Sequence, residues 1–565
     1  MLETQVLIVG AGPVGQMAAL LLARQGVQSI IVDRRETRLT APKAHAVNSR
    51  TLEICESVGV SAEKIRSTGA PADEAGWVRF ASTLTGTHFG HLPYERQQDD
   101  VKDLTPFPLS NIAQPDFEEL LEAELLRCPE VTLLRGTECL NVAEVADGVT
   151  ASITSTETET EKISCRYVIA ADGANSPIRS ALGVELEGPE GLQHNMMVHF
   201  EADLSNLVAD KPGILYFLFE PEAQGALIAY DLGKTWVLMH GFDPSTALPE
   251  SFDDATCRGL VEKAVGASLT DLKIKNVGPW TMCAQVAEHY RAGRIFLAGD
   301  AAHRFPPTGG LGLNTGIGDA QNIAWKIAAV ENGWAGDALL DSYETERRPV
   351  AQINTEQSLE NAGKMFDLFA ALYGADPEKT RERFDAMCQD PAAFPELAPA
   401  IELQRPHFDS LNLQLGYRYA SEAIIDAEPL DKEAVIDISR YIPSTQTGAI
   451  LPHQWVQEDG ETRSLLSLVP MDRFTLLAGP DGGEWTDRVG APSVPIELLV
   501  DGLHFETDAG WHACSGLPDQ GALLIRPDRH IAQRYESVCS AEQLSNDLTS
   551  LLSHTEKELL HGSRA

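Results

Sequence analysis

Val6-Leu7-Ile8-Val9 runs straight into Gly10-Ala11-Gly12-Pro13-Val14-Gly15, and the helical pattern Met17–Gln25 follows. A buried strand that passes into a helix through GxGxxG opens a dinucleotide-binding βαβ unit. Gly10 permits the tight turn, and Gly12 lets backbone approach a pyrophosphate. Gly15 lets helix and strand pack closely, and the helix N-terminus, entered through Pro13 and Val14, faces the anion. A second strand, Ser29–Val32, ends on Asp33, whose carboxylate can accept hydrogen bonds from a ribose diol, with Arg34 beside it. The motif alone leaves open whether the adenine half belongs to FAD or to NAD(P).

A later segment bears on that choice. Arg294–His303 reads as a strand ending in Gly299-Asp300, and the loop Pro306–Gly316 opens a helix over Asp319–Ala329. A carboxylate at a strand end and a glycine-rich loop at a helix start can hold a polyol and a second oxyanionic group. A nicotinamide dehydrogenase needs no second clamp of this design, so a flavin fits better.

The remainder of the chain sets limits. At 565 residues it exceeds one compact domain, so two or three are expected. There is no run of eighteen apolar residues and no leader-like N-terminus, so neither a membrane span nor a signal peptide is expected. Nine scattered cysteines without a CxxC pair argue against a disulfide framework and a zinc site and suit the cytoplasm; no metal is expected. A net charge of −39 repels phosphate backbones and anionic lipid, which excludes nucleic acid and membrane surfaces as partners.

Segments 1–185 and 275–360 alternate strand-like and helical patterns, as an α/β layer does. Between them, 186–274 is aromatic and β-branched with near period-two spacing, predicting an inserted antiparallel sheet. A helical connection, 361–440, is expected to link or to dimerise. A unit over 441–565 carries strands at Phe474–Ala478, Ile496–Val500 and Ala522–Ile525 and a closing helix from about Ser540. Thr154–Glu161 reads as a hairpin edge or surface loop.

Three fingerprints then occur in order: GxGxxG at Gly10; Asp172-Gly173-Ala174-Asn175-Ser176-Pro177-Ile178-Arg179; and Gly299-Asp300. With them the chain resembles the single-component (class A) FAD-dependent aromatic hydroxylases, in particular their phenol and dichlorophenol hydroxylase branch. The resemblance implies an α/β fold with α+β insertions: a Rossmann-like FAD-binding domain, the inserted substrate sheet, and a C-terminal thioredoxin-like domain. That last domain lacks the redox pair here, since Gly479–Trp485 contains no cysteine. It further implies that Asp300 binds the ribityl chain, that the backbone of Gly312, Leu313 and Asn314 holds the flavin ring, and that Pro307 and Gly310 also belong to the cofactor site. The resemblance likewise implies that the Asp172–Arg179 turn serves FAD and NAD(P)H, that Arg50 meets the pyrophosphate and that Gln114 contacts the flavin. Asp33 stands where most members carry Glu. A homodimer is the family expectation.

The chemistry so implied is hydride transfer from NAD(P)H to FAD, formation of a C4a-hydroperoxide with O2, and attack on it by an electron-rich ring. A base that deprotonates a phenol raises the ring's electron density. His45 is the first candidate, because it falls where the phenol hydroxylase branch places a substrate-side Asp and the chlorophenol relatives a His; His303 is the second. Tyr216, Phe217, Phe219, Tyr230, Trp236 and Met239 on the inserted sheet are candidates to line an aromatic pocket, Tyr216 also to act in catalysis. Strand alternation puts only half of them on one face. The family's substrate-holding Arg and Tyr have no clear match near Lys234-Thr235-Trp236, which weighs against simple phenol as substrate. The alternatives are the same flavin chemistry directed to epoxidation, Baeyer–Villiger oxidation or a polycyclic, polyketide-type phenol. A binding protein on this fold that had lost its flavin would show a decayed Gly299–Asn314 loop, and that loop is intact.

Overall fold

The computed structural model describes residues 2–94, 96–155, 160–374, 376–427, 437–490, 494–507 and 509–553. Val6–Val9, Ser29–Asp33, Tyr167–Ala170 and Ile295–Leu297 are short strands, apolar except for Ser29 and Asp33 at the ends of one, in which every residue is buried. Strands apolar on both sides need cover on both faces, and they form the centre of a six-stranded sheet. From Arg291–Ala292 at one edge, the order runs through Ile295–Leu297, Tyr167–Ala170, Val6–Val9 and Ser29–Asp33 to Val131–Arg135. Apart from the short antiparallel edge, all pairings are parallel. Their C-terminal ends therefore lie side by side, and three motifs far apart in sequence share one rim of the sheet. The helices Pro13–Ala23 and Leu311–Glu331 pack against each other beside it. The Gly148–Ser155 and Glu161–Cys165 strands form the hairpin expected around Thr154–Glu161, whose residues 156–159 lie outside the described residues.

The inserted sheet has seven strands, in the order Lys273–Met282, Gln193–Glu201, Thr235–Gly241, Gly225–Asp231, Leu215–Leu218, Trp77–Ala81, His88–Pro93. It reaches beyond the 186–274 segment. Trp77–Ala81 comes from the N-terminal section and pairs in parallel with Leu215–Leu218, so the backbone groups that would be an open edge there are satisfied. One face, carrying Tyr216, Leu218, Trp236 and Leu238, packs beneath the Asp254–Val265 helix. The opposite face, with Phe80, Phe217 and Phe219, meets Leu368, Leu372, Phe384 and Phe408. Within the stretch expected to be a helical connection, Leu368, Leu372, Phe384 and Phe408 thus roof the sheet.

The C-terminal unit is a four-stranded sheet with Phe474–Ala478 parallel to Ile496–Val500 and antiparallel to Ala522–Ile525, which pairs with Ile531–Tyr535. The Ala541–Leu551 helix closes it, its Ser540 hydroxyl accepting the Gln543 N–H. Trp325 and Ala329 of the long helix join its core. A buried charge network crosses the same seam. Arg526 donates to both Glu346 oxygens at 2.6 and 2.8 Å and to Asp528 Oδ1 at 3.0 Å, and Lys326 donates to Glu346 at 2.7 Å. Burial would raise the Glu346 pKa, yet Arg526 and then Lys326 hold it well below the usual range. Burial outweighs Glu346 at Lys326 and brings its pKa down to about 8.

Candidate active site

The rim is built from close backbone approaches. Gly10 has φ +106°, and a Cβ there would lie 2.2 Å from the Ala171 carbonyl oxygen; at Gly15 a Cβ would lie 1.9 Å from the Gly10 oxygen. Gly12 differs: no atom lies within 4 Å of a Cβ built on it, so the space over the helix N-terminus is open. A Val14 methyl comes within 2.9 Å of where a Cβ on Gly299 would sit and 2.6 Å of one on Gly316. The first and third fingerprints therefore touch. The second, at Asp172, follows a strand lying between those that end in them.

Polar groups ring this space. Asp33 is buried, its Oδ2 accepting the Ala11 N–H and its Oδ1 the Arg35 N–H, each at 2.8 Å. That fixes the carboxylate and leaves lone pairs for a ribose diol. Arg34 is exposed beside it. Asp300 is exposed and its carboxylate accepts no hydrogen bond from the described residues. Asp172 accepts the Ile178 N–H at 3.3 Å through Oδ2, while Oδ1 is buried without a partner; burial raises its pKa. Arg179 donates to the Ala301 oxygen at 2.8 Å and the Ala174 oxygen at 3.1 Å. It ties the second turn to the third. An open cradle at Gly12, an idle acceptor at Asp172 and a free carboxylate at Asp300 fit an extended dinucleotide.

At the far end, Gly310 (φ +63°) caps the Leu311–Glu331 helix. The amides of the first turn, around Gly312 and Leu313, have no intrahelical partner and carry the positive end of the helix dipole, which suits an electron-rich edge of a flavin ring. Pro307 is exposed on the loop before it. The Asn314 side chain is committed to protein: Nδ2 donates to the Ala46 and Gly310 oxygens at 2.9 and 2.8 Å, and Oδ1 accepts from Asn48 N and Thr51 Oγ1. Only its backbone remains for a ring. A narrow gap follows, lined by Ala46, Tyr94, Leu109, Leu311, Phe408 and Gln414.

His45 stands next to that gap. Its ring lies 5.7 Å from Tyr94 and edge-on to Tyr230 at 6.1 Å, and its Nδ1 is 2.8 Å from Asn111 Oδ1. Burial lowers its pKa despite the Asn111 bond, so the imidazole is neutral near pH 7. Tyr230 reaches it through an irregularity between Ala229 and Asp231, where the strand departs from strict alternation, and its hydroxyl donates to the Lys43 oxygen at 3.1 Å. Phe217 stacks on Phe80 with centroids 5.5 Å apart and nears Phe408 at 6.3 Å. Phe219 packs deeper, edge-on to Phe369. Met239 is half-buried, on the face opposite Trp236.

Several candidates are corrected by these positions. Tyr216 and Trp236 face the Asp254–Val265 helix, are 2% and 0% exposed, and lie 6.1 Å apart in that core; the Tyr216 hydroxyl donates to the Lys211 oxygen. Neither reaches the gap, because alternation from Phe217 points them away. His303 is buried beneath the Gly299 turn, its Nε2 2.8 Å from Asp319 Oδ2 and its ring stacked on Phe305, so it braces the turn instead of meeting substrate. The same Asp319 accepts from Gly299 N–H and Arg347. Burial would raise the Asp319 pKa, but Arg347 and then His303 keep it below the usual range. Arg50 is also buried. It donates to Glu53 at 3.0 Å, Gln321 at 3.1 Å and the Asp528 oxygen at 2.8 Å, joining the N-terminal section to the C-terminal unit instead of aiming at the Gly12 cradle. Gln114 accepts the Ala44 N–H at 3.3 Å and donates to Glu118, so it secures the His45 loop. Sequence reasoning missed Asn111, Tyr94 and Phe408. The first two sit in stretches without motif spacing, and Phe408 arrives from the helical roof. Among the described residues no group of three or more His, Cys, Asp or Glu is arranged to hold a metal ion, and no helix is long and apolar enough to cross a membrane.

Comparison with known proteins agrees with this geometry. The FAD binding domain family matches residues 3–358, and the aromatic-ring hydroxylase C-terminal family matches residues 444–554. The chain is 33% identical to 2,4-dichlorophenol 6-monooxygenase of Cupriavidus pinatubonensis, covering 95% of this chain and 94% of that protein. It is 34% identical to tetracenomycin A2 monooxygenase-dioxygenase of Streptomyces glaucescens, over 98% and 97% of the two. Among solved structures, the flavin-dependent monooxygenase PieE in complex with FAD and substrate superposes with a TM-score of 0.90 at 29% identity, covering 98% of this chain and all of that one. With the three turns gathered on one rim and both family matches in place, the chain belongs to the FAD-dependent aromatic-ring hydroxylases, a family of monooxygenases.

Proposed function

We propose that the protein hydroxylates a phenolic ring seated in the gap between the Leu311–Glu331 helix N-terminus and Phe408, with His45 as the base that takes the phenolic proton. The observation that carries this is the neutral, half-buried imidazole at that gap, with Asn111 on Nδ1 and the opposite nitrogen left to accept. FAD, when bound, supplies reduction by NAD(P)H and activation of O2, which an organic ring cannot achieve alone. The protein's own part is to hold the diphosphate at Gly12, the adenine ribose at Asp33, the ribityl chain at Asp300 and the ring at Gly312–Asn314. Phe80, Phe217, Phe408 and Tyr94 exclude water from the reacting centre. The substrate names of the relatives, 2,4-dichlorophenol and 4-methyl-5-nitrocatechol, support a phenol. A polycyclic phenol is the second reading, favoured by the match, at a TM-score of 0.82, to aklavinone-11 hydroxylase with FAD and aklavinone.

The C-terminal unit is read as thioredoxin-like, since its first strand is flanked by the second in parallel and the third in antiparallel. It is structural, not redox-active, because no cysteine lies in Gly479–Trp485. A cytoplasmic location, supported by nine unpaired cysteines, and a homodimer, the family expectation, complete the proposal; sedimentation velocity tests the dimer. The function itself is tested by a panel of mono- and polycyclic phenols scored for stimulated NAD(P)H oxidation, product mass and 18O incorporation. His45→Ala should keep FAD and NAD(P)H oxidation but lose about 10²- to 10⁴-fold in hydroxylation near pH 7. Undiminished hydroxylation by that variant across the pH range removes His45 from the mechanism.

A further inference from the structure

We propose that Asn111 is the positioning residue that fixes His45 in the tautomer with its proton on Nδ1, so that Nε2 is the nitrogen that accepts. This rests on the reading of His45 as the base. Ala46–Val47 and Ser110–Asn111 form a small antiparallel pair with Ala46 opposite Asn111. The Ile112 N–H donates to the His45 oxygen at 2.8 Å, and the Ala70 N–H donates to the Asn111 oxygen at 2.7 Å. A Cβ on Gly69 would lie 2.3 Å from that same Asn111 oxygen, so the neighbouring backbone presses against it. Asn111 is 1% exposed and held on both sides. The amide oxygen is placed 2.8 Å from His45 Nδ1 and can only accept, so this arrangement assigns the proton to Nδ1 and leaves the lone pair on Nε2.

Asn111 is the hydrogen-bond partner given for the His45 ring. The rings facing His45 are Tyr94 and Tyr230, and the Tyr230 hydroxyl is committed to the Lys43 oxygen. Burial lowers the His45 pKa, and the Asn111 bond opposes that; among the described residues no charged side chain contributes to the shift. A carboxamide orients the ring without the charge that would keep it protonated. A carboxylate at the same place would orient it too, but would raise its pKa. The Asn111 Nδ2 has no hydrogen-bond partner, so replacing it by oxygen breaks no existing bond.

Asn111→Asp and Asn111→Leu are compared with wild type in the FAD-loaded enzyme. The His45 tautomer and pKa are read by NMR on histidine-labelled protein, assigned by difference with His45→Gln, and the pH dependence of hydroxylation is measured in parallel. Asn111→Asp should keep the Nδ1–H tautomer and raise the His45 pKa by about 1 to 2 units, because an opposite charge sits in contact. The acid limb of the rate profile should move up by the same amount. Asn111→Leu should lose the fixed tautomer and about tenfold in kcat with KM little changed, the size expected when a group that orients another is lost. An unchanged His45 tautomer and pKa in both variants overturns the proposal. If the NMR values move while the rate profile stays, the positioning stands and the role of His45 as base falls.

Discussion

Gly12→Ala separates holding the cofactor from holding the fold. Gly12 has φ −76° and ψ −178°, extended backbone that alanine adopts freely, and a Cβ there meets no protein atom within 4 Å. The apo protein should change by less than about 1 kcal/mol, since the unfolded-chain entropy removed by alanine, about 0.4–1 kcal/mol, opposes its poorer helix capping. The added methyl occupies the path by which a diphosphate approaches the helix N-terminus. Losing two charge-assisted hydrogen bonds of about 1.5–3 kcal/mol each weakens FAD by about 3–6 kcal/mol, or about 10²- to 10⁴-fold. Urea unfolding of the flavin-stripped protein reads the first quantity and quenching of FAD fluorescence the second. Gly15→Ala is the contrast, because its Cβ would lie 1.9 Å from the Gly10 oxygen and must destabilise the apo fold. A Gly12→Ala protein that binds FAD within about threefold of wild type, a difference of about 0.7 kcal/mol, refutes the reasoning.

Asp300→Ala, which removes no hydrogen bond within the described residues, should alter apo stability by less than about 0.5 kcal/mol yet lose bound flavin during gel filtration. Arg526→Ala strands the buried carboxylates of Glu346 and Asp528 and should cost about 3–5 kcal/mol in urea unfolding, the smaller figure if Lys326 holds Glu346 alone. Acid should destabilise the protein early. Burial lowers the His407 pKa to about 4 and the His530 pKa to about 3, so between pH 6.5 and 4 the unfolded chain binds protons that the native one refuses. Stability then falls with pH by about 1.4 kcal/mol per unit for each histidine, and a His407→Gln variant should show a shallower slope in pH-dependent urea titrations.

The parts of this fold that were legible in sequence are those where one short run dictates its own surroundings. The strand before Gly10, the Gly299-Asp300 turn and the strands Phe474–Ala478, Ile496–Val500 and Ala522–Ile525 lie where their apolar runs predict. What stayed hidden depends on register and on partners distant in the chain. A one-residue difference in parity sends Tyr216 into the helix-covered core and Phe217 toward the gap, and pattern alone does not say which face the helix will cover. Tyr230 meets His45 through a strand irregularity. His303 follows Asp300 closely and so resembled a flavin-side group, but Asp319, about two turns into the Leu311–Glu331 helix, draws it inward. Arg50 was diverted in the same way, by Glu53 and by a carbonyl from the C-terminal unit. Charged groups find whichever buried partner the tertiary fold supplies, and spacing along the chain carries little of that information.

The central claim is that one FAD lies along the whole rim. A crystal structure of the FAD-loaded protein tests it most directly. The account predicts continuous density with the adenine ribose at Asp33, the diphosphate over Gly12, the ribityl chain at Asp300, and the ring against Gly312–Asn314 within reach of the gap beside His45. Density that leaves Asp300 and the Gly12 cradle contacting separate molecules, or a ring turned toward the C-terminal sheet, contradicts it.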